Sequence, residues 1–368
     1  MPRWCRNAAP FPLRVIFPAH RPVMERNVMA LFARSRRRAA GIAAAALVAL
    51  VALIPLSGAA AAGKPLPHPQ PRPEAPGSAV ASALLRPSST HRYLGLAQSG
   101  VPQQADLLRE AAGRIGKTPN LLEYYASFQE NFNVQATRNA WNQGALTLLT
   151  WEPFTVPLAD IAAGKDDAYL RKFAGQVRAA NIPVALNFGH EMNGFWYPWG
   201  TRNKASDFVL AYRHIHQVFD RVGAKKVVWV WTANIVNHIP TVKLAPLYPG
   251  DAYVNWIGMS GYNEDWEHWT FGDVFGRTVA QIRTFSRKPL LIAETGVDAT
   301  ADQAARISDL FSYVAASHDI IGFVYFNYNQ RMDWRFDADP ASGALAAFQQ
   351  GAASLQFGFD VRNSAAHG

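Results

Sequence analysis

The chain has 368 residues, 49% hydrophobic and 17% charged, with a formal net charge of +9. That apolar share excludes disorder along most of its length, and a single cysteine excludes a disulfide scaffold or a cysteine-based zinc site. The length suits one large domain or two medium ones.

The excess charge is concentrated at the start. Residues 1–62 hold nine Arg and one acid, Glu25, which gives +8, whereas residues 63–368 balance to +1. The basic cluster Arg34–Arg38 runs into the apolar stretch Ala39–Leu56, and the small residues Ala59–Ala62 follow. This order is that of a secretory signal with cleavage near Ala62/Gly63, and translation from Met24 or Met29 would shorten its lead. Secretion is therefore the expectation. The alternative is an uncleaved anchor at the outer cell surface, because 18 apolar residues nearly span a bilayer. Cys5 precedes the signal, so the exported chain would carry no thiol nucleophile. At +1 the remainder has little electrostatic footing for nucleic acid.

Residues 63–90 contain seven prolines and read as an extended spacer. From Arg92 onward, eight short apolar runs predict strands: Arg92–Ala97, Asn120–Ser127, Ala145–Thr150, Pro183–Phe188, Lys226–Trp231, Tyr253–Met259, Pro289–Ala293 and Ile320–Phe326. Continuous apolar runs suit strands buried on both faces of a parallel sheet. Helical spacing lies between them, as in Leu170, Phe173 and Val177, or Phe208, Tyr212, Ile215 and Phe219. The pattern predicts an α/β chain with a (β/α)8 TIM barrel as one catalytic domain over 91–360. A doubly wound sheet is the alternative, weakened by the lack of a GxGxxG loop after any early strand.

In such a barrel, chemistry sits where strands end. Glu191 follows the fourth run, in Asn187-Phe188-Gly189-His190-Glu191-Met192-Asn193-Gly194, and Glu294 follows the seventh, in Ala293-Glu294-Thr295-Gly296. Two carboxyls facing across a cleft are what glycosidic cleavage needs, one to protonate the leaving oxygen and one to attack or to activate water. Either alone would equally suit an ion pair at the barrel mouth. Glu152, Glu264, Asp265 and Glu267 lie slightly farther into predicted loops, and Glu152 is the reserve candidate. Ten of eleven Trp fall between Trp141 and Trp334, many just past a predicted strand, including Trp151, Trp196, Trp199, Trp231, Trp266 and Trp269. Their apolar ring faces suit pyranose rings, and Phe195-Trp196-Tyr197-Pro198-Trp199-Gly200 reads as a sugar-binding wall.

His190-Glu191-Met192-Asn193-Gly194, then Trp196-Tyr197-Pro198-Trp199-Gly200, Gly261-Tyr262 and Ala293-Glu294-Thr295-Gly296 resemble glycoside hydrolase family 26 over roughly residues 92–350. The resemblance implies a retaining (β/α)8 glycosidase, chiefly an endo-β-1,4-mannanase, with mixed-linkage β-glucanases and xylanases as alternatives. It implies Glu191 as acid/base, Glu294 as nucleophile, His190 and Trp196 at the sugar beside the scissile bond, and Tyr262 bonded to the nucleophile. Asn193, Trp199, Trp151 and Trp231 complete the expected substrate-binding set. Many mannanases of that family carry a second bulky aromatic where this chain has Pro198. A catalytically silent carbohydrate-binding barrel is the reading from another class, and it would need neither Glu.

Other chemistry finds less support. His190-Glu191 lacks the second histidine of HExxH, because position 194 is Gly. His214 and His216, two apart on a predicted helix, point to different faces. No cofactor and no metal is expected. The expected partner is a β-linked polysaccharide, acted on by a monomer, with membrane contact only through a retained anchor.

Overall fold

In a computed structural model, the structure describes residues 82–87, 90–264, 269–299 and 302–365. The expected signal over 1–62, most of the spacer over 63–90, and Asp265, Trp266 and Glu267 lie outside the described residues.

Eight parallel strands close into a barrel in sequence order: β1 Tyr93–Ala97, β2 Leu121–Ser127, β3 Leu146–Glu152, β4 Val184–Phe188, β5 Val227–Asn234, β6 Trp256–Ser260, β7 Leu290–Thr295 and β8 Ile320–Phe326, with β8 pairing back onto β1. The predicted strands correspond one for one. The helices are α1 Ser82–Leu85, α2 Ala105–Ile115, α3 Val134–Asn142, α4 Leu158–Ala162, α5 Asp167–Ala180, α6 Ala205–Val222, α7 Phe271–Ile282, α8 Gln303–Ala316, α9 Ala344–Ala353 and α10 Val361–Ala365. Helix α7 starts on a capping box, in which Thr270 and Asp273 each bond the other's backbone N–H.

One crossover departs from the expected eight β/α units. Between β5 and β6 the chain forms only a 3-10 turn, Ala245–Leu247. Pro240, Pro246 and Pro249 punctuate this segment, and each removes a backbone donor that an α-helix would need.

Strand side chains alternate between two cores. Leu122, Leu149, Leu186, Trp231 and Ile292 belong to the layer between strands and helices. Leu121, Leu148, Ala185, Val230 and Leu291 fill the barrel interior. At the N-terminal end, Tyr93 Oη donates to the Leu84 carbonyl at 2.9 Å and Trp256 Nε1 to the Leu85 carbonyl at 2.8 Å. The tail of the expected spacer is therefore a short helix that seals the barrel floor, with Leu84 fully buried. Leu84 and Leu85 give this short segment apolar surface to pack against the barrel.

Candidate active site

The C-terminal ends of β2 and β4–β7 converge on two carboxyls. β4 ends at Phe188, after which Gly189 and Glu191 both take left-handed backbone, with φ of 57° and 54°. That conformation is uncommon for a residue with a Cβ, and such strain gathers at functional positions. The Glu191 N–H donates to the Thr232 carbonyl on β5 at 2.8 Å, which pins the turn.

Three side chains donate to the Glu191 carboxylate. Asn234 Nδ2 lies 2.8 Å and Ser260 Oγ 2.5 Å from Oε1, and Trp196 Nε1 lies 2.7 Å from Oε2. The indole reaches this position across Gly194, where a Cβ would stand 2.3 Å from the Trp196 ring.

Glu294 faces the same cleft because of a register shift. Met259 pairs with Ile292, but Ser260 pairs with Glu294, so β7 carries an extra residue at Ala293. Without that bulge, Glu294 would share the outward face of Leu290 and Ile292; the extra residue turns it inward. The hydroxyls of Tyr125, on β2, and Tyr262 donate to its two oxygens. Ser260 also acts on Glu294 as a hydrogen-bonding neighbour.

Burial, and then the charge of Glu191, push Glu294 up to about 7, against the pull of its hydroxyl donors. Burial raises Tyr125 and Tyr262 well above the usual phenol range, so both remain donors. Two further carboxyls sit below and beside the pair. Glu152 is the last residue of β3, a strand position rather than the expected loop. Glu123 is the third residue of β2. Both are held well above the carboxylate range, first by burial and then by Glu294.

The remaining expected binding residues divide. Trp196 is partly exposed and bonded to Glu191, and Tyr262 is bonded to Glu294, so both stand at the carboxyl pair. His190 is buried beneath it, with Nε2 3.1 Å from the Tyr197 hydroxyl and burial lowering it to about 4, hence neutral. Asn193 is fully buried and exchanges two hydrogen bonds with the Asn234 backbone, which makes it a brace for Asn234 rather than a cleft residue. Trp199 is buried behind His190, stacked on Tyr197 at 4.3 Å with Nε1 on the His190 carbonyl.

Trp151 and Trp231 correct the expectation of sugar contact. Trp151 stacks on Phe173 at 4.4 Å, and Trp231 Nε1 donates to the Leu247 carbonyl; neither ring is exposed. Each occupies an outward strand position, facing helices and loops, while its inward neighbours Glu152 and Thr232 face the barrel. His214 Nε2 bonds Asp167 at 2.6 Å on the outer helices, and His216 packs on Trp229. Sequence reasoning missed Glu123, Tyr125, Asn234 and Ser260. The signal for Glu123 was present in Leu121-Leu122-Glu123-Tyr124-Tyr125, where an acid shares a strand face with Leu121 and Tyr125.

Residues 166–336, which contain both carboxyls, match the family profile described as glycosyl hydrolase family 26. Endoglucanase H of Acetivibrio thermocellus is 33% identical over 223 residues, covering 57% of this chain and 24% of that protein. Beta-1,3-xylanase TXYA of a Vibrio species is 22% identical over 276 residues, covering 65% of this chain and 58% of its own. The chain thus spans from about a quarter to somewhat over half the length of these relatives. The catalytic domain of a Bacillus sp. JAMB-750 GH26 endo-beta-1,4-mannanase superposes with a TM-score of 0.62 at 18% identity, over 78% of this chain and 92% of that one, a likeness of fold. The match to glycosyl hydrolase family 26 thus spans both carboxyl-bearing strands of a closed eight-stranded barrel.

Proposed function

We propose that this chain is a retaining endo-glycosidase that hydrolyses internal β-1,4-mannosidic bonds of mannan or glucomannan by double displacement. The observation that carries the reading is the pair Glu191 and Glu294 on either side of the Ser260 hydroxyl. Carboxyls about 5–5.5 Å apart leave room for a covalent glycosyl-enzyme, whereas inversion needs about 6.5–9.5 Å to admit water.

In the first step, Glu294 attacks the anomeric carbon while Glu191 gives its proton to the departing oxygen. The bond to the leaving chain breaks as the glycosyl ester forms. In the second, Glu191 takes a proton from water, whose oxygen displaces Glu294 and restores the starting state. Tyr125 and Tyr262 hold the two oxygens of Glu294 in line, and Asn234 and Trp196 do the same for Glu191.

A β-glucan backbone is the second reading, favoured by the 33% identity to a protein named endoglucanase. A panel of galactomannan, glucomannan, barley β-glucan and xylan, with the anomer of the first-formed product read by NMR, tests both. Retained products from mannans support the first reading. Hydrolysis of barley β-glucan alone moves the substrate to the second, and inverted products would overturn the mechanism. The basic and apolar lead over 1–62 supports export with cleavage near Ala62. N-terminal sequencing of exported protein checks this, with Gly63 expected first.

A further inference from the structure

The crossover from β5 to β6 supplies only the 3-10 turn Ala245–Leu247 where a helix would otherwise stand beside α7. Where its first residues meet the opening turns of α7 lies a cavity of about 410 Å³, lined by Asn237, Trp269, Gly272, Asp273, Gly276 and Arg277. That volume falls within the range of small-molecule sites, about 300–1,000 Å³. None of these residues bonds Glu191 or Glu294, whose partners are Asn234, Trp196, Ser260, Tyr125 and Tyr262. Asn237 stands three residues past Asn234, and α7 begins just beyond β6, so the cavity sits at the catalytic end of the barrel.

Its walls are held in place without a ligand. Trp269 is half-buried; its carbonyl accepts from Asn263 Nδ2 at 2.7 Å, and the His238 ring stacks on the indole at 5.7 Å and 21°. Asp273 Oδ2 accepts from the Thr270 N–H at 3.0 Å and from its hydroxyl at 2.7 Å. Asn237 Nδ2 donates to the Asp273 and Val274 carbonyls, at 3.0 and 3.2 Å. Gly272 and Gly276, four residues apart, share one face of α7. Glycine weakens a helix interior, yet a Cβ at Gly276 would meet no atom within 4 Å, so packing does not demand it. Arg277 is exposed and has no ion pair or hydrogen bond among the described residues.

We propose that this cavity is a second carbohydrate-binding site, which takes a sugar of a neutral β-linked chain outside the catalytic cleft. Trp269 offers an aromatic surface to the C–H groups of a pyranose ring. The Arg277 guanidinium donates to sugar hydroxyls and the Asp273 carboxylate accepts from them. The two charges cancel, which suits a neutral polymer rather than an anion. The glycines leave room for the ring. A long chain held here raises its own concentration at the cleft, whereas an oligosaccharide too short to reach both sites gains nothing. The inference rests on the glycosidase reading for the identity of the ligand, but binding can be read without hydrolysis.

The test compares the parent with Gly276→Leu, which fills the cavity, and Trp269→Ala, which removes its aromatic wall. Arg277→Ala, at an exposed position, supplies the same comparison without a change in packing. Electrophoresis of the folded proteins through gels containing galactomannan, glucomannan, barley β-glucan or xylan reads binding directly. At least one polymer should retard the parent, and each variant should bind it more weakly, by roughly two- to tenfold in Kd. KM for that polymer should rise by a similar factor, while kcat/KM for the shortest oligosaccharide cleaved stays unchanged. Thermal unfolding should place Gly276→Leu no lower than the parent, so that lost binding is not lost fold. Equal retardation of the parent and all three variants, equal losses on polymer and oligosaccharide, or a parent that no polymer retards overturns the proposal. A chain that binds through this cavity and cuts nothing would remove the function reading and leave the site standing. Hydrolysis with KM and retardation untouched by the variants would do the reverse.

Discussion

Ser260 Oγ lies 2.5 Å from Glu191 Oε1 and within the hydrogen-bonding field of Glu294, so one hydroxyl stands between the two carboxyls. β6 ends at Ser260, and the bulge in β7 brings Glu294 opposite it. The hydroxyl has one proton, given to Glu191 in this arrangement. Ser260→Ala leaves the pair in place but removes a hydrogen bond of about 0.5–1.5 kcal/mol, so kcat should fall roughly 2- to 10-fold. Steady-state kinetics check this. A change confined to KM would show that Ser260 serves substrate binding instead.

The two carboxyls are distinguishable by rescue. Removing Glu294 as Glu294→Ala leaves a cavity on the attacking side, which azide can enter to give a product of inverted configuration. Removing Glu191 leaves a glycosyl-enzyme that azide can intercept, with retention. Each variant should lose on the order of 10³-fold or more in turnover of polysaccharide. With a substrate whose leaving group needs no proton, Glu191→Ala should lose far less in the first step. The stereochemistry of the azide adducts decides the assignment, and an interchange of the two outcomes would reverse the roles.

The barrel was legible because continuous apolar runs mark strands buried on both faces, and all eight predicted runs became strands. Glu191 and Glu294 were legible as acids that close such runs. What a one-dimensional pattern could not show was facing. Glu294 points inward only because β7 gains a residue against β6, and nothing in Leu290-Leu291-Ile292-Ala293-Glu294 announces that bulge. Trp151 and Glu152 are adjacent, and strand parity sends one to the helix layer and the other to the barrel. Placing the end of β3 two residues early put both in a loop, where parity does not apply. Glu123 was passed over for the opposite reason, because it lies inside a run rather than at its end.

The reassignment of Trp151 is itself testable. Its ring is enclosed by Phe128, Phe173 and Phe188 and touches no solvent. Trp151→Ala should destabilise the fold by about 3–5 kcal/mol through the cavity it leaves. Trp151→Phe, which retains an aromatic ring there, should leave KM for polysaccharide within about twofold, because no sugar contact is lost. Denaturant unfolding and kinetics on the two variants separate packing from binding. A large rise in KM for the Phe variant at unchanged stability would return Trp151 to the substrate site.

The carboxyl cluster should also impress a pH dependence on stability. Glu294 moves from an ordinary 4.5 to about 7 on burial beside Glu191. Within that interval the folded chain retains a proton that the unfolded chain has released, so stability falls as pH rises. The favourable contribution is complete below about 4.5 and is lost by the time pH passes about 7. Glu123 and Glu152, raised by the same burial, act in the same direction. Glu294→Gln substitutes a group that needs no proton to stay neutral. At about pH 8 the variant should be more stable than the parent by on the order of 2 kcal/mol, a shift of several degrees in Tm, and the gap should close near pH 4.5. Thermal unfolding of both proteins across that range provides the measurement. Parallel stability curves would show that Glu294 titrates alike in the folded and unfolded chain, and that burial beside Glu191 does not govern its charge.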